Sequence, residues 1–517
     1  MRGFPHLRAI PPALALALFL LGPAHADEPA RPESAKPEPA AKADTALAPT
    51  AFDAQRSVTH HTLTRNGTSL AYTAVAEFLP VKDGVKDEVT ARVFTVTYTL
   101  DTPEDGRRPV AFVFNGGPGA ASAYLHMGAL GPKAVRFNPD GSLPPPPLPV
   151  IDNPDTWLRF TDLVFIDPVG TGFSRGTKTD GDGEKRFWKI DGDATSLSEI
   201  VRLWLVRQNR LDAPKLLVGE SYGGFRVVKM ANELFSKVGI AVNGLVMVSP
   251  VVDFATIDGG EASVLATALR LPPMAAAAAA NGRADGPPEE AATRAERFAV
   301  TDYLSGLATV DYRNLAASAG LFAAVSRLTG LPEDVIARNR GRVSPGTFAR
   351  ELRRGEGLLL SVYDATFVGF DPDPGADHAK HDPFLTGTLP AYATAFADYA
   401  QRELGVRSEL PFHLLSERVG QGWEWPRGDN PSAMEDLQKM LALTPGLKVL
   451  IAHGRTDLVT PYTASAWVAR HLNLPPGAPP DTVALKVYEG GHMMYTRTSE
   501  RARLANDVEA MVLAVKK

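Results

Sequence analysis

The stretch Lys215–Phe225, KLLVGESYGGF, constrains this chain more than any other. Leu216, Leu217 and Val218 form a short apolar run that reads as a buried strand. The run stops at Gly219-Glu220-Ser221-Tyr222-Gly223, and from Phe225 to Leu234 the apolar spacing becomes helical. A serine at the tip of such a turn sits in a strained conformation. It needs neighbours without a Cβ, so that strand, helix and ligand can approach closely. The same pattern also describes a Gly-rich connection with an incidental serine, so the rest of the chain has to decide.

Length and composition narrow the classes. The 517 residues are 44% hydrophobic, enough for one large domain with an insertion or for more than one domain. A net charge of −5 and no dense Lys/Arg stripe argue against a nucleic-acid partner. Cysteine is absent, which excludes disulfides, thiolate metal sites and a lipid-anchored cysteine. Arg2 and Arg8, the apolar run Ala13–Leu21 and the small-x-small site Ala24-His25-Ala26 read as an export signal over 1–26. Its cleavage would leave no membrane anchor. A cysteine-free exported chain suits the bacterial periplasm or exterior. Residues 27–55 are rich in Pro, Ala, Glu and Lys and read as a disordered leader.

Order is expected from about Ser57. Asn66-Gly67 between alternating segments signals a hairpin, and Thr90–Leu100 alternates as a further strand. Pro109–Phe114, Asp162–Ile166, Leu216–Val218 and Gly244–Val248 are apolar runs separated by segments such as Ser196–Gln208 with helical spacing. Strands alternating with helices predict a mostly parallel sheet with an antiparallel start. After Asp253 the pattern becomes helical: the alanine run 275–280, then 294–307, 312–328, 332–338 and 391–403. Strand patterns resume at Leu447–Ala452 and Thr482–Tyr488, and Ser499–Val515 closes the chain as an amphipathic helix. The expected organisation is core over 56–253, a mainly helical cap inserted over 254–444, and core again over 445–517.

Each core strand of interest runs into a loop with reactive or donor groups, and the carboxyl edge of a parallel sheet is where ligands bind. Ser221, Asp457 and His492 stand in the order nucleophile, acid, histidine of the α/β-hydrolases, which this arrangement resembles. In that setting His492 would take the Ser221 proton and Asp457 would orient and stabilise the imidazolium. Asn115-Gly116-Gly117-Pro118-Gly119 follows the strand where such enzymes supply an oxyanion donor, which selects the N–H groups of Gly117 and Tyr222. The glycine spacing matches no phosphate-binding loop. His378 and His381 have H-x-x-H spacing in a Pro/Asp/Gly-rich loop without a second cluster, so no metal is expected, and no cofactor. His453 reads as a strand-end residue, while Tyr363, Trp423 and Trp425 are candidates to face a substrate from the insertion.

NGGPG at 115–119, FIDPVGTGFS at 165–174, GESYGG at 219–224, HGRTD at 453–457 and EGGHM at 489–493 together resemble the serine carboxypeptidase family, in that family's order. The resemblance spans about Val110 to Met493 and implies hydrolysis of the last peptide bond of a substrate with a free carboxylate. It places Asn115, Gly116 and Glu220 at positions that bind that carboxylate. Glu220 can donate a hydrogen bond to a carboxylate only when protonated, so acid-favoured activity is expected. Two positions depart from the family. Ala129 stands where a second glutamate is common, which weakens the case for strict exopeptidase specificity, and Ala120 stands where cysteine is frequent. An esterase or acyltransferase with the same triad, or a non-catalytic binding protein on this scaffold, are the alternatives. Side-chain preference and oligomeric state are not encoded in these motifs.

Overall fold

A computed structural model describes residues 56–515 apart from 66, 85, 102–107, 147, 179–182, 259, 261–262 and 429. The expected export signal (1–26), the leader (27–55) and Asn66 of the expected hairpin turn lie outside the described residues. Strand β1 (Arg56–Arg65) pairs antiparallel with β2 (Thr68–Lys82), with Arg65 opposite Thr68. β3 (Val89–Leu100) continues the antiparallel start.

The parallel part comprises β4 (Val110–Phe114), β5 (Asp162–Ile166), β6 (Lys215–Glu220), β7 (Gly244–Val248), β8 (Lys448–Gly454) and β9 (Val483–Tyr488). The strands lie in the order β1-β2-β3-β5-β4-β6-β7-β8-β9, and Arg175–Gly176 adds a short ladder to β3, making a ten-stranded sheet. β4 runs parallel to both of its neighbours, β5 and β6. The chain thus leaves β4 in one direction and returns on its other side, which opens a crevice at the carboxyl ends of β4 and β6.

β4, β5, β6 and β7 are buried along their whole length, which is why each reads as an unbroken apolar run. Alternation sorts their side chains to two faces. Ala111 and Val113 join one apolar cluster with Tyr72, Tyr98 and Tyr392, whereas Val110, Phe112 and Phe114 join another with Leu197, Val201 and Trp204. Trp204 sits on helix α1 (Ile190–Arg207), edge-on to Phe112 at 5.4 Å, and its indole N–H donates to Thr97 Oγ1 at 2.9 Å. The buried indole is therefore both packed and satisfied. Helix α2 (Tyr222–Glu233) leaves β6 through Ser221 alone.

Between β7 and β8 lies α3 (Val264–Ala280), followed by further helices and one two-stranded ladder, Leu358–Leu360 with Val368–Phe370. α3 begins before the alanine run and carries Pro272 and Pro273 inside it, because Leu271, Met274 and Ala275 are buried and packing outweighs proline's helix-breaking tendency. Residues from about 268 to 365 form an apolar cluster of their own, closed by Leu458. The later part of this interval behaves differently. Helix α4 (Leu385–Arg402) puts Tyr392, Phe396 and Tyr399 into the core cluster beside Tyr98. Helix α5 (Met434–Leu443) buries Leu437 and Met440 on the opposite sheet face. Helix α6 (Thr498–Val515) closes the chain, with Leu504, Val508 and Val512 in the core. Among the described residues no helix is long and apolar enough to cross a membrane.

Candidate active site

Ser221 is the hinge of the β6–α2 connection, with φ 61° and ψ −125°. A non-glycine residue in that region carries backbone strain of about 1–3 kcal/mol. The strain is held by the sheet: the Ser221 N–H donates to the Val248 carbonyl at 2.9 Å, and Gly224 N–H donates to the Ser221 carbonyl at 2.9 Å. The flanking glycines are steric requirements. A Cβ on Gly219 would overlap the Gly223 carbonyl, and one on Gly224 would run into Pro250.

The loop after β4 lies directly on this turn. A Cβ on Gly116 would come within 2.5 Å of the Glu220 carbonyl oxygen, 2.6 Å of Tyr222 N and 2.7 Å of Gly223 N. Gly117 (φ 100°) follows immediately, so its backbone stands beside the first turn of α2. Tyr222 opens that helix, where N–H groups have no intrahelical partner. Gly117 and Tyr222 both line the cleft that Ser221 enters.

His492 comes from the loop after β9 and Asp457 from the loop after β8, both fully buried. His492 Nδ1 donates to Asp457 Oδ2 at 2.8 Å. Asp457 is fixed in turn: Oδ1 accepts from the N–H groups of Val459 (2.8 Å) and Thr460 (3.0 Å), and Thr460 Oγ1 lies 2.8 Å from Oδ2. Thr460 Oγ1 also lies 3.1 Å from His492 Nδ1. The His492 carbonyl accepts from Ser249 Oγ at 2.8 Å, tying the histidine loop to the end of β7. Ser221 and His492 line the same cleft; among the described residues no hydrogen bond joins their side chains. Burial alone would lower the His492 pKa, but the charge and hydrogen bond of Asp457, with the charge of Glu220, hold it above the ordinary value.

Glu220 is buried at the end of β6. Its Oε2 accepts from Asn115 Nδ2 at 2.6 Å and from Tyr495 Oη at 2.9 Å. The Asn115 amide cannot be turned the other way, because its Oδ1 accepts the Leu125 N–H at 3.0 Å. Burial pushes the Glu220 carboxyl up to about 7, with Asp457 adding to the rise and His492, Tyr495 and Asn115 opposing it. The Asn115 carbonyl is held by Arg226, a buried guanidinium on α2 whose Nε donates to the equally buried Asp193 at 2.7 Å.

The sequence-derived set Asn115, Gly116, Gly117, Glu220, Ser221, Tyr222 and His492 is therefore gathered in one cleft of about 1190 Å³ counting its open mouth, with Asp457 directly behind His492. Tyr363 and Trp425 line it as well. Trp423 does not: it packs edge-on against Tyr222 at 5.2 Å, inside the wall. His453 is buried in β8 with Nε2 2.8 Å from Ser465 Oγ, and burial pushes it down to about 4. His378 is exposed in its loop, away from the cleft lining.

Some participants escaped the motifs. Thr460 stands three residues after Asp457, where a hydroxyl closes the aspartate's turn; Tyr495 stands three after His492, in a short helical turn. The space beside Ala129 is filled by phenols, since a Cβ on neighbouring Gly128 would meet Tyr495 Cε2 at 2.6 Å and Tyr392 Oη at 2.7 Å. Tyr495, rather than an acid at position 129, thus hydrogen-bonds Glu220.

A sequence model of the family described as Peptidase_S10, serine carboxypeptidase, matches residues 84–258, the segment that carries NGGPG, FIDPVG and GESYGG. Over that segment, about a third of the chain, the sequence is similar to the serine carboxypeptidase family. A serine carboxypeptidase-like 26 protein of Arabidopsis thaliana is 29% identical over 160 residues, 30% of this chain and 32% of that protein. A pheromone-processing carboxypeptidase KEX1 of Coprinopsis cinerea is 25% identical over 390 residues, 73% of this chain and 53% of that protein. The chain thus spans about a third to a half of the length of these curated relatives. The crystal structure of a prohormone-processing carboxypeptidase from Saccharomyces cerevisiae shares the fold at a TM-score of 0.54 and 17% identity, over 85% of this chain and 91% of that one. The shared fold is the mostly parallel sheet with helices and an antiparallel start that the alternation of strand and helix patterns predicts.

Proposed function

We propose that this chain is a serine carboxypeptidase that releases the C-terminal residue of a peptide through an acyl-enzyme on Ser221, favoured in acidic medium. The observation that carries this reading is Glu220, a buried carboxyl beside Ser221 whose Oε2 is already taken by Asn115 and Tyr495. Oε2 has its donors, so the proton of the neutral form belongs on Oε1, free for a carboxylate.

In this mechanism Ser221 Oγ attacks the carbonyl carbon of the last peptide bond while His492 Nε2 takes its proton. Asp457, bonded to Nδ1, stabilises the imidazolium. The N–H groups of Gly117 and Tyr222 hold the developing oxyanion. His492 then protonates the leaving amine, and water, deprotonated by the same histidine, releases the acyl group. The leaving residue's carboxylate rests against Asn115, Gly116 and neutral Glu220.

The pH dependence follows from two groups. Glu220 must be protonated, which holds below about 7. His492 must be neutral to act as base, and protonating Glu220 removes one of the charges that raise it. The carboxylate-binding form is thus also the form with more free base. Activity on free-acid peptides is expected to fall above neutrality and, as His492 protonates, at the acid end.

Peptides with free and amidated C-termini, compared at pH 5 and pH 8, test the reading. Stepwise release from the free form alone supports it. Ester cleavage without release from any peptide favours the esterase or acyltransferase alternative and sinks the carboxypeptidase. No turnover and no labelling of Ser221 by a serine-directed phosphonate favour a binding protein. Export to the periplasm or exterior belongs to the same proposal, supported by the signal-like segment 1–26; a mature N-terminus at Asp27 in the exported fraction supports it.

A further inference from the structure

Tyr124 stands in the short helical turn Ala123–Leu125 that follows NGGPG and lines the cleft that Glu220 also lines. It is 5% exposed, and its hydroxyl is buried with no hydrogen-bond partner. A phenol oxygen taken from water and left unpaired costs free energy, so it should meet a partner in the working protein. The ring is locked edge-on against Tyr392 at 5.1 Å, which fixes where the hydroxyl can reach. Tyr392 also has an unpartnered hydroxyl, but it is fully buried and does not line the cleft. Of these two orphan phenols, only Tyr124 can be met by something that enters beside Ser221.

We propose that the Tyr124 hydroxyl is a specificity-determining donor to the substrate's terminal carboxylate, acting beside Asn115 and Glu220. The inference rests on the carboxypeptidase reading above. The groups that face Tyr124 are Glu220 from the end of β6, Tyr363 from the interval between β7 and β8, and Tyr392 from α4. None of them is a cation, so the carboxylate on this side is held by neutral donors. The two donors differ in one respect. Glu220 loses its proton near neutrality, whereas burial, with the neighbouring Tyr363, Glu220 and Tyr392, raises the Tyr124 phenol well above its ordinary value. Tyr124 therefore keeps its proton throughout the working range. Carboxylate recognition at pH 8, with Glu220 ionised, falls to Asn115, Gly116 and Tyr124.

The experiment uses the full chain and Tyr124→Phe, which keeps the ring against Tyr392 and removes only the hydroxyl. The probes are two dipeptide analogues whose scissile amide is reduced to CH2–NH, one with a free C-terminal carboxylate and one amidated, as competitive inhibitors of ester hydrolysis. A competitive Ki does not depend on the fraction of active protein, so partial misfolding does not obscure it. The preference for carboxylate over amide is expected to fall roughly tenfold in Tyr124→Phe, the value of one charge-assisted hydrogen bond, and by more at pH 8 than at pH 5. Tyr392→Phe is expected to leave that preference unchanged. An unchanged preference in Tyr124→Phe, or an equal fall in both variants, overturns the proposal. A wild-type protein that binds the two analogues equally would overturn the carboxypeptidase reading itself, before any substitution is made.

Discussion

Tyr495 Oη donates to Glu220 Oε2 at 2.9 Å across 275 residues of chain, linking the loop of His492 to the residue that precedes Ser221. The bond favours the ionised carboxylate and so opposes the rise that burial imposes on Glu220. Removing it in Tyr495→Phe is expected to raise the Glu220 pKa further. The alkaline limb of activity on free-acid peptides then moves to higher pH. A limb that stays in place, or moves down, would show that Glu220 does not govern it.

Glu220→Gln replaces a titrating donor with an amide that donates at every pH. The ratio of activity at pH 5.5 to that at pH 8 on free-acid peptides is expected to shrink by about tenfold, since one charge-assisted hydrogen bond no longer titrates. Stability gives an independent reading. The folded pKa of about 7 exceeds the ordinary value of 4.5, so the native state holds the proton more tightly and stability is lost as pH rises between those values. That loss amounts to up to about 3 kcal/mol. In the glutamine variant this component disappears, so the variant should gain on the wild type at pH 7.5 relative to pH 4.5 in denaturant titrations.

Asp457→Asn should keep the turn with Val459 and Thr460 but cannot stabilise an imidazolium at His492. A loss in kcat of roughly 10³–10⁴-fold is expected, with an unchanged unfolding midpoint within about 1 kcal/mol. Steady-state kinetics on an ester, which does not need the carboxylate site, isolates the effect. A loss under tenfold would remove Asp457 from the mechanism.

Gly116→Ala tests the contact between the NGGPG loop and the serine turn. Its Cβ would meet only backbone, namely the Glu220 carbonyl oxygen and the N atoms of Tyr222 and Gly223, so no side chain can rotate away. The loop must move and carry the Gly117 N–H with it. A fall in kcat of at least about 10²-fold is expected, comparable to losing one oxyanion donor. Phosphonate labelling of Ser221 should slow in parallel.

Arg226 and Asp193 form a buried pair that also holds the Asn115 carbonyl. Arg226→Met leaves Asp193 buried without its cation and is expected to cost about 3–5 kcal/mol in chemical denaturation. Adding Asp193→Leu should recover a large part of that loss, because no uncompensated charge remains. Failure of the double variant to recover would mean that the Asn115 contact, not the pair, carries the stability.

Much of the core could be read from sequence because its strands are buried on both faces. Such strands must be continuous apolar runs, and Asp162–Ile166 and Gly244–Val248 are found where the runs predict them. Ser221, Asp457 and His492 were legible for a related reason: each follows such a run, where the sheet delivers loops to one edge. The interval between β7 and β8 was less legible. Many of its helices are short, α3 holds prolines within it, and α4 packs against strands that lie far earlier in the chain. Local pattern carries no record of that partnership.

The sequence by itself determined the succession of strands along the chain, the glycines that let the serine turn form, and the residues that could supply a nucleophile, an acid and a base. These depend on local sterics and on side-chain chemistry, which a short window contains. Only the tertiary structure decided what surrounds Glu220. Tyr495, Tyr124 and Tyr392 come from separate stretches of chain and converge where Gly128 leaves space and Ala129 offers no acid. A pKa near 7 and an unpartnered phenol arise from burial, and burial belongs to the packed whole rather than to any segment.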